Sequence, residues 1–192
     1  MNDVANIATA LPRLAAERPE AVALQVPEGT QGGKPRYLPM TYAELDRASD
    51  EIARGLTAIG VGPGVRTALM VKPSREFFAL VFGLFKAGAV PVMIDPGIGL
   101  KHLKTCLGEA QPTAFIGIPA AHVARLLFGW AKATLRVHVT VGPRLFWGGT
   151  TLKAVRARGQ AAGQGPFMAP TKPTDMAAIL FTSGSTGVPK GV

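Results

Sequence analysis

The chain has 192 residues, 47% of them hydrophobic and 17% charged, which is enough apolar content to fill a core and excludes a disordered segment. Its formal charge of +9 is lopsided: residues 1–100 carry ten Lys/Arg and ten Asp/Glu, whereas residues 101–192 carry eleven and two. A single cysteine, Cys106, excludes an internal disulfide and points to a buried structural thiol in a reducing, cytoplasmic setting.

The first twenty residues lack a basic start followed by an apolar run, so they do not resemble a signal peptide, and they read as a short surface helix. Ala21 to Val26 and Arg36 to Met40 are short apolar runs separated by PEGTQGGKP, which predicts an antiparallel pair joined by a loop. TYAE then sets Thr41 three residues before Glu44, a capping box, and Leu45, Ala48, Ile52 and Leu56 follow at helical spacing, so a helix is expected from Tyr42 to Ile59.

Beyond it the pattern alternates. TALMV (67–71) reads as a buried strand, Ser74 caps a helix REFFALVFGLFKAG ending at Gly88, and PVMID (91–95) is a strand. LKHLKTCLGEA is a helix, AFIGI a strand, AHVARLLFGWA a helix, VHVTV (137–141) a strand and MAAILFT (176–182) a last strand. RARGQAAGQGPFMAPTKP reads as a flexible connection. Strands alternating with helices imply an α/β fold with a mainly parallel sheet covered by helices on both faces. Phe77 to Ile94 carries one charge, Lys86, but Gly88 and Pro91 break its second half, so a buried helix and strand are expected rather than a membrane span.

His102, His122 and His138 have no ligand-spaced Cys, Asp or Glu around them, so core or surface packing is their default and metal binding has little support. The basic second half has three readings. Bases scattered singly, without interleaved aromatics or a helix-turn-helix pattern, argue against a nucleic-acid surface. A membrane surface is a second reading. The preferred one is that these bases face phosphates, or a protein segment outside this chain.

TSGSTGVPKG, after the last strand, is the stretch with informative chemistry. Phosphate oxygens are held by inward-pointing N–H groups, and Gly184, Gly187 and Gly191 permit the turns and close approach this needs. Thr182, Ser183, Ser185 and Thr186 add hydroxyl donors, and Lys190 adds a mobile cation. A polar surface loop is the plain alternative. The spacing is not that of a Walker A loop, which needs four residues between its glycines, nor that of a dinucleotide fingerprint, which follows a first strand.

FTSGSTGVPKGV (181–192) resembles the phosphate-loop signature of the adenylate-forming (AMP-binding) enzyme superfamily, which includes acyl-CoA synthetases, nonribosomal peptide adenylation domains and luciferases. FKAGAVPVMIDPG (85–97) and TYAELDRASDEIARGL (41–56) resemble its earlier motifs, so the resemblance covers nearly the whole chain. Taken with GVRTALMVKPSREFFALVFGLFKAGAVPVMIDPGI, AQPTAFIGIPAAHVARLLFGWA and VTVGPRLFWGGTTL, it narrows to the branch that forms β-lactones in bacterial olefin biosynthesis, also labelled fatty-acyl-CoA ligases.

The resemblance implies that residues 1–192 are the N-terminal part of an AMP-binding domain, truncated at the phosphate loop and without the C-terminal domain. It implies that Thr182, Ser183, Gly184, Ser185, Thr186, Gly187, Lys190 and Gly191 bind ATP, with Lys190 as the catalytic cation and Mg2+ held mainly by residues outside the chain. The parent would convert a long-chain 2-alkyl-3-hydroxy acid and ATP to an acyl adenylate and close it to a β-lactone, in association with other olefin-pathway enzymes. A long-chain fatty-acyl-CoA ligase, a non-catalytic nucleotide- or partner-binding protein and a basic nucleic-acid module are the alternatives. The chain alone is expected to lack adenylation activity, and Ser183 to Val192 to be mobile.

Overall fold

The computed structural model describes residues 5–182 and 190–192. A 3-10 turn at Ile7–Thr9 leads into α1 (Ala10–Glu17). This start is tied down: Ala8 and Leu11 are buried, and Asn6 Nδ2 donates to Phe85 O at 2.7 Å. The strands β1 (Val22–Gln31) and β2 (Lys34–Thr41) form the expected antiparallel pair but run further than expected. Pro27, Thr30 and Gln31 are paired to Tyr37, Pro35 and Lys34, so most of the stretch read as a loop is strand. Only Gly32 and Gly33 turn, at φ 58° and 77°, the two-residue geometry that matches strand twist.

The capping box forms: Glu44 N donates to Thr41 Oγ1 at 3.2 Å and Thr41 N to Glu44 Oε2 at 2.9 Å. The helix α2 (Tyr42–Thr57) ends just before Ile59. Then follow β3 (Arg66–Met70), α3 (Arg75–Lys86), β4 (Val90–Ile94), α4 (Leu100–Ala110), β5 (Ala114–Gly117), α5 (Pro119–Phe128) and β6 (Val137–Thr140). Ser74 caps α3 as read, its Oγ accepting from Phe77 N at 3.1 Å. α5 starts earlier than AHVARLLFGWA suggested because Pro119 suits a first helical turn, and it stops at Phe128 because Gly129 turns left-handed at φ 62°.

The connection read as flexible is corrected over its first part. After β7 (Thr150–Thr151), Thr151 Oγ1 accepts from Ala154 N at 3.2 Å and caps α6 (Leu152–Ala162), so RARGQAA is helical. Leu152, Val155 and Gly159 pack inward, a short apolar stripe that the glycines obscure in sequence. β8 (Ile179–Thr182) starts later than Met176, and β9 (Lys190–Gly191) closes the sheet.

Among the described residues the sheet has seven strands in the order β7-β6-β5-β3-β4-β8-β9, all neighbours parallel except β8 and β9. Side chains alternate between two cores. Leu69, Ile116 and Val139 face α2, α3 and α6, while Ala68, Phe115 and Val92 face α4. Both faces are therefore covered, as a parallel sheet requires. Cys106 lies buried in the second core, and burial pushes its thiol pKa up, which leaves it a packing residue. Among the described residues no helix is long and apolar enough to cross a membrane.

Candidate functional site

The candidate residues read from the sequence begin at the end of β8. Val92, Met93 and Ile94 of β4 pair with Ile179, Leu180 and Phe181 of β8, so the motifs FKAGAVPVMIDPG and FTSGSTGVPKGV become neighbouring strands that end at one edge. Open α/β sheets place ligands outside the carboxyl ends of their strands. Just past β4, Asp95 Oδ1 accepts from Gly97 N at 2.8 Å and turns the chain across that end.

Of the eight candidate residues, Thr182, Lys190 and Gly191 fall in described strands; Ser183, Gly184, Ser185, Thr186 and Gly187 lie outside the described residues. Thr182 pairs with Lys190 and Phe181 with Gly191, so the two ends of the loop are brought face to face. Leu180 N to Val192 O and Val192 N to Leu180 O, both 2.9 Å, extend that pairing. The expectation that the whole of Ser183 to Val192 is mobile is thus corrected for Lys190–Val192, because backbone pairing to β8 holds the far end. Gly191 has a packing reason to be glycine: a Cβ there would lie 3.1 Å from the Phe181 ring. In composition, Thr182 to Val192 offers glycine N–H groups, hydroxyls and one lysine with no acidic residue, a chemistry that fits a polyphosphate.

One buried charge cluster braces the helices behind the sheet. Lys86 Nζ, with its side chain 1% exposed, lies 2.6 Å from both Asp46 Oδ1 and Asp50 Oδ1 and donates to Asp46 O at 3.0 Å. Asp50 Oδ1 also accepts from Phe167 N at 3.1 Å, tying the chain after α6 to α2. Burial raises the Asp50 pKa, opposed mainly by its bond to Lys86. The lone charge in Phe77–Ile94 was the visible signal; its partners, 40 and 36 residues away, were not.

Two of the three histidines, His122 and His138, pack together, a grouping the sequence hid. His122 is buried, donating from Nε2 to Val139 O at 3.1 Å, and its ring stacks on Trp147 at 5.2 Å. His138 lies 6.4 Å from it, ring to ring. Burial lowers both pKa values, that of His138 to about 4, with Arg125 adding repulsion. Two neutral rings beside a guanidinium do not favour a metal ion, and among the described residues no group of three or more His, Cys, Asp or Glu could hold one.

A parallel sheet with helices on both faces, whose adjacent strands β4 and β8 end at one edge, places the molecule among the open α/β proteins. The chain belongs to the AMP-binding enzyme family, whose profile matches residues 11–192; enzymes of this family use ATP and a carboxylate substrate. It is 57% identical over 195 aligned residues to the olefin beta-lactone synthetase of Stenotrophomonas maltophilia, covering 100% of this chain and 35% of that protein. The olefin beta-lactone synthetase of Xanthomonas campestris is 56% identical over 194, covering 100% and 34%. The chain thus spans about a third of the length of these curated relatives. In three dimensions it matches a long-chain-fatty-acid-CoA ligase from Archaeoglobus fulgidus with a TM-score of 0.80 at 20% identity, over 100% of this chain and 37% of that one, which shows the shared fold.

Proposed function

We propose that this chain is the N-terminal part of an ATP-dependent, AMP-forming enzyme that activates a long-chain 2-alkyl-3-hydroxy acid and closes it to a β-lactone in olefin biosynthesis. The observation that carries this reading is the 57% identity, along the whole chain, to an olefin beta-lactone synthetase. The chemistry asks for a defined set of parts. A carboxylate attacking the α-phosphate of ATP meets like charge, and the departing pyrophosphate gains charge. Amides, hydroxyls and a lysine around the outer phosphates answer both problems.

In this reading Thr182, Ser183, Ser185, Thr186 and Lys190 hold the β- and γ-phosphates, and Gly184, Gly187 and Gly191 shape the loop around them. Lys190 is the cation that follows the growing charge of the leaving group. Mg2+, bound with ATP, would supply further neutralisation of the phosphates. The acyl adenylate then loses AMP as the substrate's own β-hydroxyl oxygen attacks the activated carbonyl, forming the ring C–O bond as the C–O bond to AMP breaks. The hydroxyl proton leaves to solvent or a base. The catalytic unit is larger than the chain, so the chain alone should not support the reaction.

The test is ATP–pyrophosphate exchange by the purified chain, and by the chain joined to the remaining two thirds of the Stenotrophomonas protein. Exchange and β-lactone formation without CoA are expected only in the chimera, and Lys190→Ala should lower exchange by about 100-fold or more. An inactive chimera beside an active Stenotrophomonas parent overturns the reading. Thioester formed only on adding CoA would instead assign a long-chain acyl-CoA ligase.

A further inference from the structure

We propose that the outer face of α5, together with the loop between β6 and β7, docks on the surface of an anionic lipid bilayer. The inner face of α5 is used: His122 and Arg125 are buried against the sheet, Arg125 over the Phe115 ring at 5.7 Å. The outer face presents Val123, Leu126, Leu127 and Phe128 to solvent, with Leu127 75% exposed. Val123, Leu126 and Leu127 stand at i, i+3 and i+4, one stripe of the helix.

The loop after β6 extends this stripe. A Cβ at Gly142 would touch Pro119, the first residue of α5, at 3.7 Å, and Trp147 stacks on His122, so the loop lies against the helix. Burying Trp147 turns its neighbours outward: Leu145 is 59% and Phe146 79% exposed. An apolar surface this concentrated is unusual for water.

Charge identifies the occupant. From Gln111 to Thr174 there is no Asp or Glu and there are eight Lys/Arg, of which Arg125 is buried and Arg156 pairs with Glu51. Arg144 beside the loop tip, and Lys132 and Arg136 after α5, are exposed, and none is in an ion pair among the described residues. Arg144 is held in place by donating to Gly149 O at 2.7 Å. A second copy of the chain would bring these cations against their own kind. A bilayer surface offers both complements at once: acyl chains for the leucines and phenylalanines, and phosphate groups for basic side chains. The lipid phosphates are thus an acidic partner for Lys132, Arg136 and Arg144.

The experiment is cosedimentation of the 192-residue chain with phosphatidylcholine vesicles containing about one third phosphatidylglycerol, and with phosphatidylcholine alone. Binding is expected to the anionic vesicles, and to fall between about 0.1 and 0.5 M NaCl as charge is screened. Leu127→Asp and Phe146→Asp, both at exposed positions and checked by circular dichroism, should each reduce binding about tenfold, as should Arg144→Glu on anionic vesicles alone. Tyr37→Asp, an exposed aromatic on β2, should bind as the unaltered chain does. The proposal is overturned by absent binding, by equal binding of Leu127→Asp and Phe146→Asp, by light scattering that shows a dimer which those two substitutions dissolve, or by loss of vesicle binding when the chain is joined to the remaining two thirds of the Stenotrophomonas protein, which would mean that this segment covers the face.

Discussion

At the scale of single residues, the His122–His138–Arg125 group shows how burial converts titratable side chains into packing. His138 Nε2 is buried without a partner among the described residues, and a protonated His138 would stand beside a guanidinium with no carboxylate among residues 111–174. The folded pKa of His138, about 4, lies below the ordinary 6.5, so the unfolded chain binds the proton first. Stability supplied by the neutral ring is therefore present above pH 6.5 and is lost as the pH falls towards 4. Asp50 acts in the opposite sense, its raised pKa favouring the folded state as acid is added. That contribution cancels when two proteins differing only at His138 are compared. His138→Leu should flatten the fall in urea midpoint between about pH 7 and pH 4.5 while remaining folded at neutral pH. Parallel pH profiles for the two proteins would show that His138 carries no such linkage. The sequence could not pair these residues, because what joins them is the register of β5 and β6, Phe115 opposite His138 and Ile116 opposite Val139.

At the scale of elements, the contact between α2 and α6 depends on the absence of side chains. A Cβ at Gly159 would overlap Glu51 O, and one at Gly55 would overlap Val155 O, so the two backbones meet with nothing between them. Arg54 then fastens the crossing by donating from Nε to Gly159 O at 3.1 Å and from Nη1 to Gly165 O at 2.6 Å. In an open helix Gly→Ala gains roughly 0.5–1 kcal/mol. Here the sign reverses: Gly159→Ala should cost about 1–3 kcal/mol, read as a lower urea midpoint with an unchanged slope, because the helices must separate. A neutral or stabilising result would mean that the crossing yields freely. The same glycine explains a misreading. Composition made RARGQAAG look like a connection, and the reason its glycine sits in a helix exists only once α2 lies across it. Where local chemistry decides, as in the Thr41–Glu44 capping box or Ser74 before α3, the sequence was legible almost to the residue.

At the scale of the molecule, the two proposed functions occupy different parts of one sheet. The β8–β9 edge is reached from β5, on which α5 packs, by crossing β3 and β4. Three strand spacings of roughly 4.8 Å separate them by about 15 Å. The order of strands is what no motif announced. FTSGSTGVPKGV was readable as chemistry, but its position beside β4 required the chain to return across the sheet after β7, and a single sequence carries no record of that return. Sites this far apart without shared partners should act additively. In the chimera with the Stenotrophomonas segment, Leu127→Asp combined with Phe146→Asp should abolish vesicle binding yet leave ATP–pyrophosphate exchange, assayed with a water-soluble acid, within about twofold. Lys190→Ala should do the reverse, removing exchange while vesicle binding stays. Loss of exchange on changing the α5 face, or loss of vesicle binding on changing Lys190, would mean that the sheet transmits between its two ends. Independence is the physical expectation, since β3 and β4 are buried on both faces and offer no second packing through which one end could bias the other.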